Sequence, residues 1–351
     1  MENHNDPDKL FVSIIIVARN AEECFGNLVN DYLQQDYPAS LRELIFVDGA
    51  SEDATKTIIQ EFSQAHPELS ITILDNPKRI QAPALNLALR ATRGDIVCRV
   101  DAHVSIPRNY ISNGVRLLLE KKKDKVACVG GPWQTVGKGF WGQAIAKVLS
   151  TPFGVGNAKF RYSQTAQFVD TVPCGFYWKW VFDEVGSYRE DLVRSEDNEL
   201  HARILARGWK FFLYPGLMTK YQCRSEVVDF LRQAFGNGYW SMITWRQSSW
   251  RHLVPFCFMT SLMVLGFFSI LWEPCRYLLL ALLSVYGLSS ILVSLAAAFK
   301  SEEWPFVFVL PILFFLLHLT YGMGSVCALI FFNRRWMFKE VKVRKSIPLE
   351  R

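Results

Sequence analysis

The sequence lacks any cysteine pattern that would bind zinc or form a redox couple. Its eight cysteines are scattered, and no two of them form a CxxC pair. This spacing is typical of reduced thiols in the cytosol. We interpret Cys98, Cys128 and Cys174 as packed small apolar residues, because a free cysteine is commonly buried.

A secretory signal is also missing from the first residues. Residues 1–8 are polar and acidic, and the apolar run at 11–17 is short for a signal core and has no basic flank. We therefore expect the N-terminal part of the chain to stay in the cytosol.

Charge is scarce in the C-terminal third of the chain. Residues 253–332 are almost all apolar, whereas the first 250 residues have the composition of a soluble domain. Three segments, at 253–271, 277–299 and 304–332, each have the roughly 20 apolar residues that a membrane-crossing helix needs. The sequence therefore predicts a soluble N-terminal part and a membrane-embedded C-terminal part.

A basic tail at 333–351 holds most of the net charge of +6. Beside an apolar helix, such a tail indicates attraction to anionic lipid rather than to nucleic acid. Three simple spans place it across the membrane from the N-terminal part, against the positive-inside rule. Either the tail breaks that rule, or one segment is re-entrant or interfacial. The overlong third segment, with His318 and a break at 322–324, is the candidate; we interpret His318 itself as a structural hydrogen-bonder.

Short β-branched or aromatic runs alternate with helical patterns over the first 213 residues. Strands are predicted at 11–17, 44–47, 71–74, 96–100, 126–129 and 209–213, and helices at 21–35, 54–65, 82–91, 108–120 and 194–207. This alternation predicts an α/β domain with a mostly parallel sheet, whose ligands bind beyond the carboxyl ends of the strands. The less regular stretch at 131–178 is predicted to form a long functional region over that site.

Aromatic residues and arginines are mixed at 223–251, which predicts helices in the membrane interface. Trp240, Trp245 and Trp250 are five residues apart and cannot share one face of a straight helix, so we expect a broken helix or two membrane anchors at different angles. The predicted domains are a cytosolic α/β domain, an amphipathic interface region, transmembrane helices and a basic tail, at 1–222, 223–251, 252–332 and 333–351.

Acidic residues end two of the predicted strands. Asp48 follows one strand, and Asp101 ends another with His103 two residues later, on the same side of an extended backbone. A carboxylate and an imidazole in this arrangement can hold Mg²⁺ or Mn²⁺. Asp197 opens a helix, and repulsion from Glu196 would raise its pKa as a general base requires. An ordinary acidic first helical turn explains Asp197 as well.

Taken in order, the motifs at 13–20, 47–53, 100–103 and 195–197 resemble those of family 2 glycosyltransferases, which have the GT-A fold. Further motifs at 76–80, 170–175 and 251–255 are most similar to a membrane-bound exopolysaccharide group, the succinoglycan-type glucosyltransferases. The resemblance implies a GT-A nucleotide-sugar-binding domain followed by interfacial and transmembrane helices.

The resemblance also implies roles for individual residues. Asp48 matches the acid that contacts the nucleoside, Asp101 the first acid of the DxD metal motif, and Asp197 the catalytic base of inverting enzymes. His103 replaces the second DxD acid. The remaining implied positions are Arg19, Glu22, Lys78 and Arg79 near the nucleotide, and Cys174, Gly175, Glu196 and Trp240 in the donor-sugar and acceptor region.

The expected activity is transfer of a sugar from a nucleoside diphosphate, with uridine as the expected base, to a lipid-linked saccharide acceptor. Mn²⁺ or Mg²⁺ is the expected cofactor, and the inner or plasma membrane the expected location, with the catalytic domain in the cytosol and membrane lipid as a partner. No nucleic acid partner is expected, and the oligomeric state is left open. The QxxRW motif of processive synthases is absent, which disfavours polymer extrusion.

Two alternatives stay open at the level of sequence. One is transfer of the sugar directly to a polyprenyl phosphate, whose acceptor is already an anion, so that Asp197 matters little. The other is a non-catalytic membrane assembly subunit that only binds a nucleotide sugar. The set of Asp48, Asp101 and Asp197 argues against the second alternative, because a scaffold does not need all three.

Overall fold

The computed structural model describes residues 10–246 and 249–331. The described chain forms two compact units, one made of residues 10–134 and 163–221 and the other of residues 135–162 and 222–331. The second unit thus includes a segment, 135–162, that the sequence places in the N-terminal domain. The predicted basic tail lies outside the described residues.

Eleven strands are formed by the described residues. They are β1 (Val12–Ala18), β2 (Arg42–Asp48), β3 (Ser70–Asp75), β4 (Ile96–Asp101), β5 (Val104–Ser105), β6 (Val126–Gly130), β7 (Trp133–Val136), β8 (Gln167–Val169), β9 (Phe176–Trp178), β10 (Lys210–Leu213) and β11 (Thr219–Gln222).

Twelve α-helices lie in the same part of the chain. They are α1 (Glu22–Leu33), α2 (Thr55–Ala65), α3 (Gln81–Ala91), α4 (Tyr110–Glu120), α5 (Gly139–Leu149), α6 (Pro152–Val155), α7 (Lys179–Val185), α8 (Glu196–Ala206), α9 (Val227–Ile243), α10 (Leu253–Phe268), α11 (Glu273–Ser301) and α12 (Phe306–Phe331).

The first unit is built on an eight-stranded sheet with the order β3-β2-β1-β4-β9-β6-β10-β8. Neighbours from β3 to β4 pair in parallel, as do β6 and β10, whereas β9 and β8 are antiparallel to their partners. The predicted mostly parallel sheet is therefore confirmed. Because β2 lies on one side of β1 and β4 on the other, the strand order reverses there, which is where α/β sheets bind ligands.

The core of the first unit lies on both faces of this sheet. Strand β2 is buried along its whole length, and Phe46 contacts Phe25 of α1 with ring centroids 4.8 Å apart. Complete burial of such a side chain contributes roughly 1.5–3 kcal/mol. On α4, Gly114 is required for packing, since a Cβ there would lie 2.5 Å from the Phe176 ring. The central strands are thus held rigidly beneath the site.

The second unit is helical. Helices α9, α10, α11 and α5 all contact α12. Three helices, Trp250–Phe268, Glu273–Ser301 and Phe306–Phe331, are long and apolar enough to cross a membrane, which agrees with the three predicted segments. His318 Nδ1 and the Tyr286 hydroxyl are hydrogen-bonded at 2.8 Å, as expected of a structural hydrogen-bonder. A role in proton transfer stays the minor alternative.

Two sequence expectations concern the segments next to these helices. The expectation of an irregular stretch at 131–178 is wrong for α5 and α6. Their helical spacing is hidden among glycines, but Ile145 and Val148 are fully buried on one face of α5. The expected break between the spaced tryptophans is confirmed, because α9 ends at Ile243 and Trp250 begins a separate 3₁₀ turn.

Candidate active site

Two carboxylates end strands on either side of β1. Asp48 is the last residue of β2 and pairs with Ala18, and Asp101 is the last residue of β4 and pairs with Val17. Since neighbouring strands lie about 4.8 Å apart, the two backbones are roughly 10 Å apart at the same sheet edge. The crevice between them lies at the reversal of strand order.

The loop after Asp48 is tied to the loop after β1. Asp48 is 3% exposed, and its carboxylate accepts a hydrogen bond from the Ser51 N–H at 3.1 Å. The Asn20 N–H donates to Ser51 Oγ at 3.0 Å, and the Glu52 N–H donates to Asn20 Oδ1 at 2.9 Å. These bonds hold the Asp48 carboxylate and the loop around it in place. The contact of Asp48 with a nucleoside stays a prediction.

Glu22 belongs to the same loop network. Its Oε2 accepts a hydrogen bond from the Ala54 N–H at 2.9 Å, and its own N–H donates to Asp53 Oδ2 at 3.1 Å. The structure therefore uses Glu22 to hold the loop around Asp48. Its contact with a nucleotide stays a prediction.

Two of the predicted nucleotide-binding cations meet at one carboxylate. Arg79 Nη1 lies 3.2 Å from Glu52 Oε1, and Arg19 Nη2 lies 3.9 Å from the same atom. Both arginine side chains are at least 40% exposed, so an anionic ligand can reach them. Lys78 instead pairs with Glu190 at 2.8 Å.

A buried arginine that sequence reasoning did not assign lies at the centre of the site. Arg99 is 8% exposed, and its guanidinium donates to Asp101 Oδ1 at 3.0 Å and to Asp197 Oδ1. Its Nη2 also lies 3.9 Å from Glu196 Oε1. One cation thus joins the end of β4 to the first turn of α8, across 98 residues of sequence.

This cluster sets the protonation of its acids. Burial, with repulsion from Asp197, raises the pKa of Glu196 to about 7. Burial and the Asp101 charge likewise raise the pKa of Asp197, with Arg99 opposing them. At Asp101 burial acts in the same direction, but the charges of Arg99 and His103 outweigh it and the pKa is lowered. Asp197 keeps 38% of its side-chain surface exposed, as a base that meets a substrate requires.

The His103 side chain is exposed and lies beside a pair of stacked aromatic rings. Its ring meets Tyr221 edge-on at 5.0 Å, and Tyr221 stacks on Trp133 at 4.1 Å. Among the described residues, no cluster of three or more potential metal ligands occurs. Asp101 and His103 offer a carboxylate oxygen and an imidazole nitrogen, which are donor types that Mg²⁺ or Mn²⁺ accepts, and Mg²⁺ commonly takes its other ligands from substrate phosphates and water. Their role as metal ligands stays a prediction.

The other residues predicted for the donor-sugar and acceptor region, Cys174, Gly175 and Trp240, are closely packed against neighbouring residues. Cys174 is 5% exposed and burial raises its thiol pKa to about 12, which agrees with packing rather than nucleophilic chemistry. A Cβ at Gly175 would lie 2.4 Å from Cys128 Sγ, so this glycine is needed for close packing. Trp240 lies in the second unit and packs on a cluster of Met242, Ile243 and Ala328.

Left-handed backbone is concentrated around the site. Such conformations are costly for residues other than glycine and often occur at functional sites. Of the seven such non-glycine residues in the described part of the chain, Lys125 and Glu302 lie elsewhere, and the other five are Asn20, Ala50, Arg79, Cys174 and Ser195. Each lies in a loop next to one of the predicted site residues, or is itself one, which supports a binding role for this edge.

Two residues of the site were missed from sequence, Arg99 and Glu52. An arginine inside the apolar strand 96–100, two residues before Asp101 and therefore on its side of the strand, was a usable signal. Glu52 carried no comparable signal, because exposed acidic residues are common in loops.

The chain is similar to several known proteins. Residues 13–184 match Glycosyl transferase family 2. The chain belongs to this family. This family 2 glycosyltransferase is 26% identical over 332 residues to the dolichyl N-acetyl-α-D-glucosaminyl phosphate 3-β-D-2,3-diacetamido-2,3-dideoxy-β-D-glucuronosyltransferase of Methanococcus voltae, covering 91% of this chain and 97% of that one. It is 28% identical over 227 residues to succinoglycan biosynthesis protein ExoA of Rhizobium meliloti (strain 1021), covering 64% and 67%.

The fold of this family 2 glycosyltransferase is also found in a solved structure. The mannosyltransferase PcManGT of Pyrobaculum calidifontis, in complex with GDP-Man and Mn²⁺, matches with a TM-score of 0.61 at 19% identity, over 92% of this chain and 88% of that one. This match confirms the expected GT-A fold. The family match and the sequence relatives confirm the expected glycosyltransferase activity.

Proposed function

We propose that this glycosyltransferase is an inverting, metal-dependent enzyme that moves one sugar from a nucleoside diphosphate, with UDP as the first candidate, to a lipid-linked saccharide. The observation that carries the proposal is the convergence of Asp101 and the half-exposed Asp197 on Arg99 at the carboxyl edge of the sheet. The enzyme works at a membrane, with its first unit in the cytosol.

The donor occupies the crevice between β2 and β4. The buried Asp48 carboxylate accepts hydrogen bonds from the base or the ribose, and the diphosphate faces the exposed guanidinium groups of Arg19 and Arg79. Their shared partner Glu52 is 65% exposed, so a ligand phosphate can replace it without leaving a buried charge unpaired.

Asp197 acts as the general base. It accepts the proton of the acceptor hydroxyl, whose oxygen forms a bond to the anomeric carbon while the bond from that carbon to the diphosphate oxygen breaks. Attack from the face opposite the leaving group inverts the anomeric configuration. The raised pKa of Asp197 makes it a stronger base than an ordinary aspartate.

Arg99 is a positioning residue in this mechanism. Its two bonds fix Asp197 relative to Asp101, and its charge opposes the rise in the Asp197 pKa that burial causes. A charged hydrogen bond of this kind is about twice as strong as a neutral one. Arg99 therefore sets both the position of the base and its protonation.

Asp101 and His103 are the residues that would hold the divalent cation. When bound there, the cation would neutralise the charge that develops on the departing diphosphate. The solved relative from Pyrobaculum calidifontis is in complex with Mn²⁺, which supports this assignment.

The lipid-linked acceptor is supported by the relatives and by the apolar helices. The name of the Methanococcus voltae enzyme describes a dolichyl-linked N-acetylglucosaminyl phosphate as its acceptor. Three helices of this chain are long and apolar enough to enter a bilayer, where such a lipid resides.

The test is release of nucleoside diphosphate by the purified full chain with membrane lipid extract, across UDP-sugars and GDP-sugars with Mn²⁺ or Mg²⁺. We expect release to need metal and lipid and to fall by roughly 10²–10⁴-fold in Asp197→Asn, the usual range for loss of a general base. Asp191→Asn is the matched control, because Asp191 is exposed and pairs locally with Arg189 at 2.7 Å.

Two results would contradict parts of the proposal. Unchanged release by Asp197→Asn would remove this residue as the base and favour transfer to a polyprenyl phosphate, whose acceptor oxygen needs no deprotonation. Nucleotide-sugar binding without turnover for every donor and metal would favour a binding subunit over an enzyme.

A further inference from the structure

Helices α9 and α12 run side by side in the same direction. The start of α9, at Val227, lines one cavity with Ile312 and Leu316 of α12. Further along, Ser325 Oγ donates to the Gly238 carbonyl at 3.0 Å, and Met242 shares a cluster with Ala328. Later residues of α9 therefore contact later residues of α12, which shows that the two helices are parallel.

Their approach is unusually close because glycines lie at the crossing points. A Cβ at Gly238 would lie 1.9 Å from the Tyr321 carbonyl oxygen, and one at Gly324 would lie 2.1 Å from that of Phe235. Such backbone contact fixes α12 to α9, so the two helices must have the same orientation in the membrane.

Helix α9 has the surface of a helix that does not cross. Its outward side carries Asp229 and Arg232, which are 50% and 74% exposed. Charged groups in the hydrocarbon core cost at least about 2.5–3.5 kcal/mol each. Helix α9 follows directly on the first unit, so it lies on the side of the membrane that holds this unit, and α10 begins from that side.

Both the beginning and the middle of α12 contact residues of that same side. Near the beginning of α12, the ring centroid of Phe306 lies 5.3 Å from that of Phe140 of α5. Helix α5 belongs to the segment 135–162, and the chain continues from both ends of this segment into the first unit. In the middle of α12, the Tyr321 hydroxyl bonds His252 Nδ1 at 2.6 Å, immediately before α10. Fifteen residues of helix span about 22 Å, a length that would reach most of the way across if α12 crossed.

Helices α10 and α11 have a different character. No residue of α10 is buried, and apolar side chains project outward along α11 and the connection between them, with Ile270 80% and Tyr277 66% exposed. A connection of four residues makes them a hairpin. Apart from their contacts with α12 and four buried α11 residues, these surfaces are compatible with lipid.

We infer that α10 and α11 alone cross the bilayer, and that α12 lies in the membrane interface beside α9, on the side of the first unit. The outward face of α12, with Phe308, Ile312 and Phe331 at 77%, 61% and 77% exposure, contacts the acyl chains. Two crossings return the chain to its starting side. The basic tail then obeys the positive-inside rule and meets the anionic lipid of that leaflet.

Variants of the full chain that each gain one cysteine test this arrangement. The variants are Glu61→Cys in the first unit, Ser269→Cys between α10 and α11, Lys300→Cys before α12, and Ser346→Cys in the tail. Each is labelled with a membrane-impermeant maleimide in intact cells and in inverted membrane vesicles. The unsubstituted chain gives the background of its own cysteines, and labelling in detergent gives the total.

We expect Glu61→Cys, Lys300→Cys and Ser346→Cys to be labelled from one side and Ser269→Cys from the other. Labelling of Ser346→Cys on the same side as Ser269→Cys would overturn the inference, because α12 would then cross. Labelling of all four from one side would overturn it too, because no helix would cross. The result does not depend on glycosyltransferase activity.

Discussion

Arg99 is the residue on which the chemistry of the site depends most. Arg99 is one cation beside three acids. Of these, Asp101 lies at the sheet edge and Glu196 lies in the first turn of α8. Removal of one partner from a buried ionic cluster commonly costs about 3–5 kcal/mol, because the remaining charge is left uncompensated. We therefore expect the charge of Arg99 to be needed for folding, and its forked shape to be needed for catalysis.

Arg99→Lys separates these two roles. It keeps the charge, but a single ammonium group cannot hold Asp101 and Asp197 in the forked geometry. We expect kcat to fall about tenfold or more, which corresponds to an increase of roughly 1.4 kcal/mol in the activation free energy. The change in KM for the donor should be smaller. Steady-state kinetics check this. Arg207→Lys, on an exposed arginine at the end of α8, is the control, and equal kcat in both variants would show that the fork is dispensable.

Glu196 makes the stability of the fold depend on pH. Its pKa is about 7 in the folded state against an ordinary 4.5, so the native state keeps a proton that the unfolded state has released. The free energy of unfolding must then fall as pH rises from about 4.5 to about 7. Below this window the contribution is fully present.

In Glu196→Gln this part of the pH dependence should disappear. The midpoint temperatures of thermal unfolding are measured in detergent at pH 5, 6 and 7.5 for the variant and for the unsubstituted chain. The difference between the two midpoints at each pH gives the contribution of Glu196. Glu61→Gln, on the exposed side of α2, should keep the original slope. Parallel pH curves for the unsubstituted chain and Glu196→Gln would mean that Glu196 titrates normally.

At the scale of elements, the packing of α9 on α12 depends on glycine. Gly238→Ala places a methyl group 1.9 Å from a backbone oxygen of α12, which cannot move away as a flexible side chain can. We expect a loss of about 1–3 kcal/mol in the free energy of unfolding, as for other overpacked contacts. Gly266→Ala is the matched control, since a Cβ there has no neighbour within 4 Å. The midpoint temperature of thermal unfolding in detergent should be lowered by Gly238→Ala and should stay unchanged in Gly266→Ala.

The predicted elements agree with the structure where a single pattern extends over a whole segment. The strand at 44–47 and the helix at 54–65 correspond to β2 and α2 within two residues at each end. Agreement is poor at 131–178, because α5 is short and contains Gly139 and Gly142, and its apolar face becomes clear only against α12.

At the scale of the whole molecule, the two units have different surfaces. The first has an ordinary exposed surface of charged and polar residues. The second exposes many large apolar side chains, with Leu271 73% and Ile330 66% exposed. At about 25 cal/mol for each Å² of apolar surface buried, transfer of this unit into lipid is strongly favourable.

The full chain should therefore stay in the membrane pellet after 1 M salt and after alkaline carbonate, and should be released by detergent. Immunoblots of pellet and supernatant measure this. Release by carbonate would mean that no helix crosses the bilayer, and release by salt alone would mean that only charge holds the protein at the membrane.

The sequence by itself determined most strands and helices of the first unit, the acids at the strand ends and the apolar helices, and its motifs carried the resemblance to the GT-A class. The elements follow from local hydrophobic periodicity, which a single segment carries, whereas the GT-A class follows from the order of the motifs. Only the tertiary structure brought Arg99 to Asp197, placed 135–162 among the C-terminal helices and joined α12 to α9. Those contacts connect residues some 80 to 170 positions apart in the chain, and they arise from crossovers and close backbone packing that no local pattern encodes.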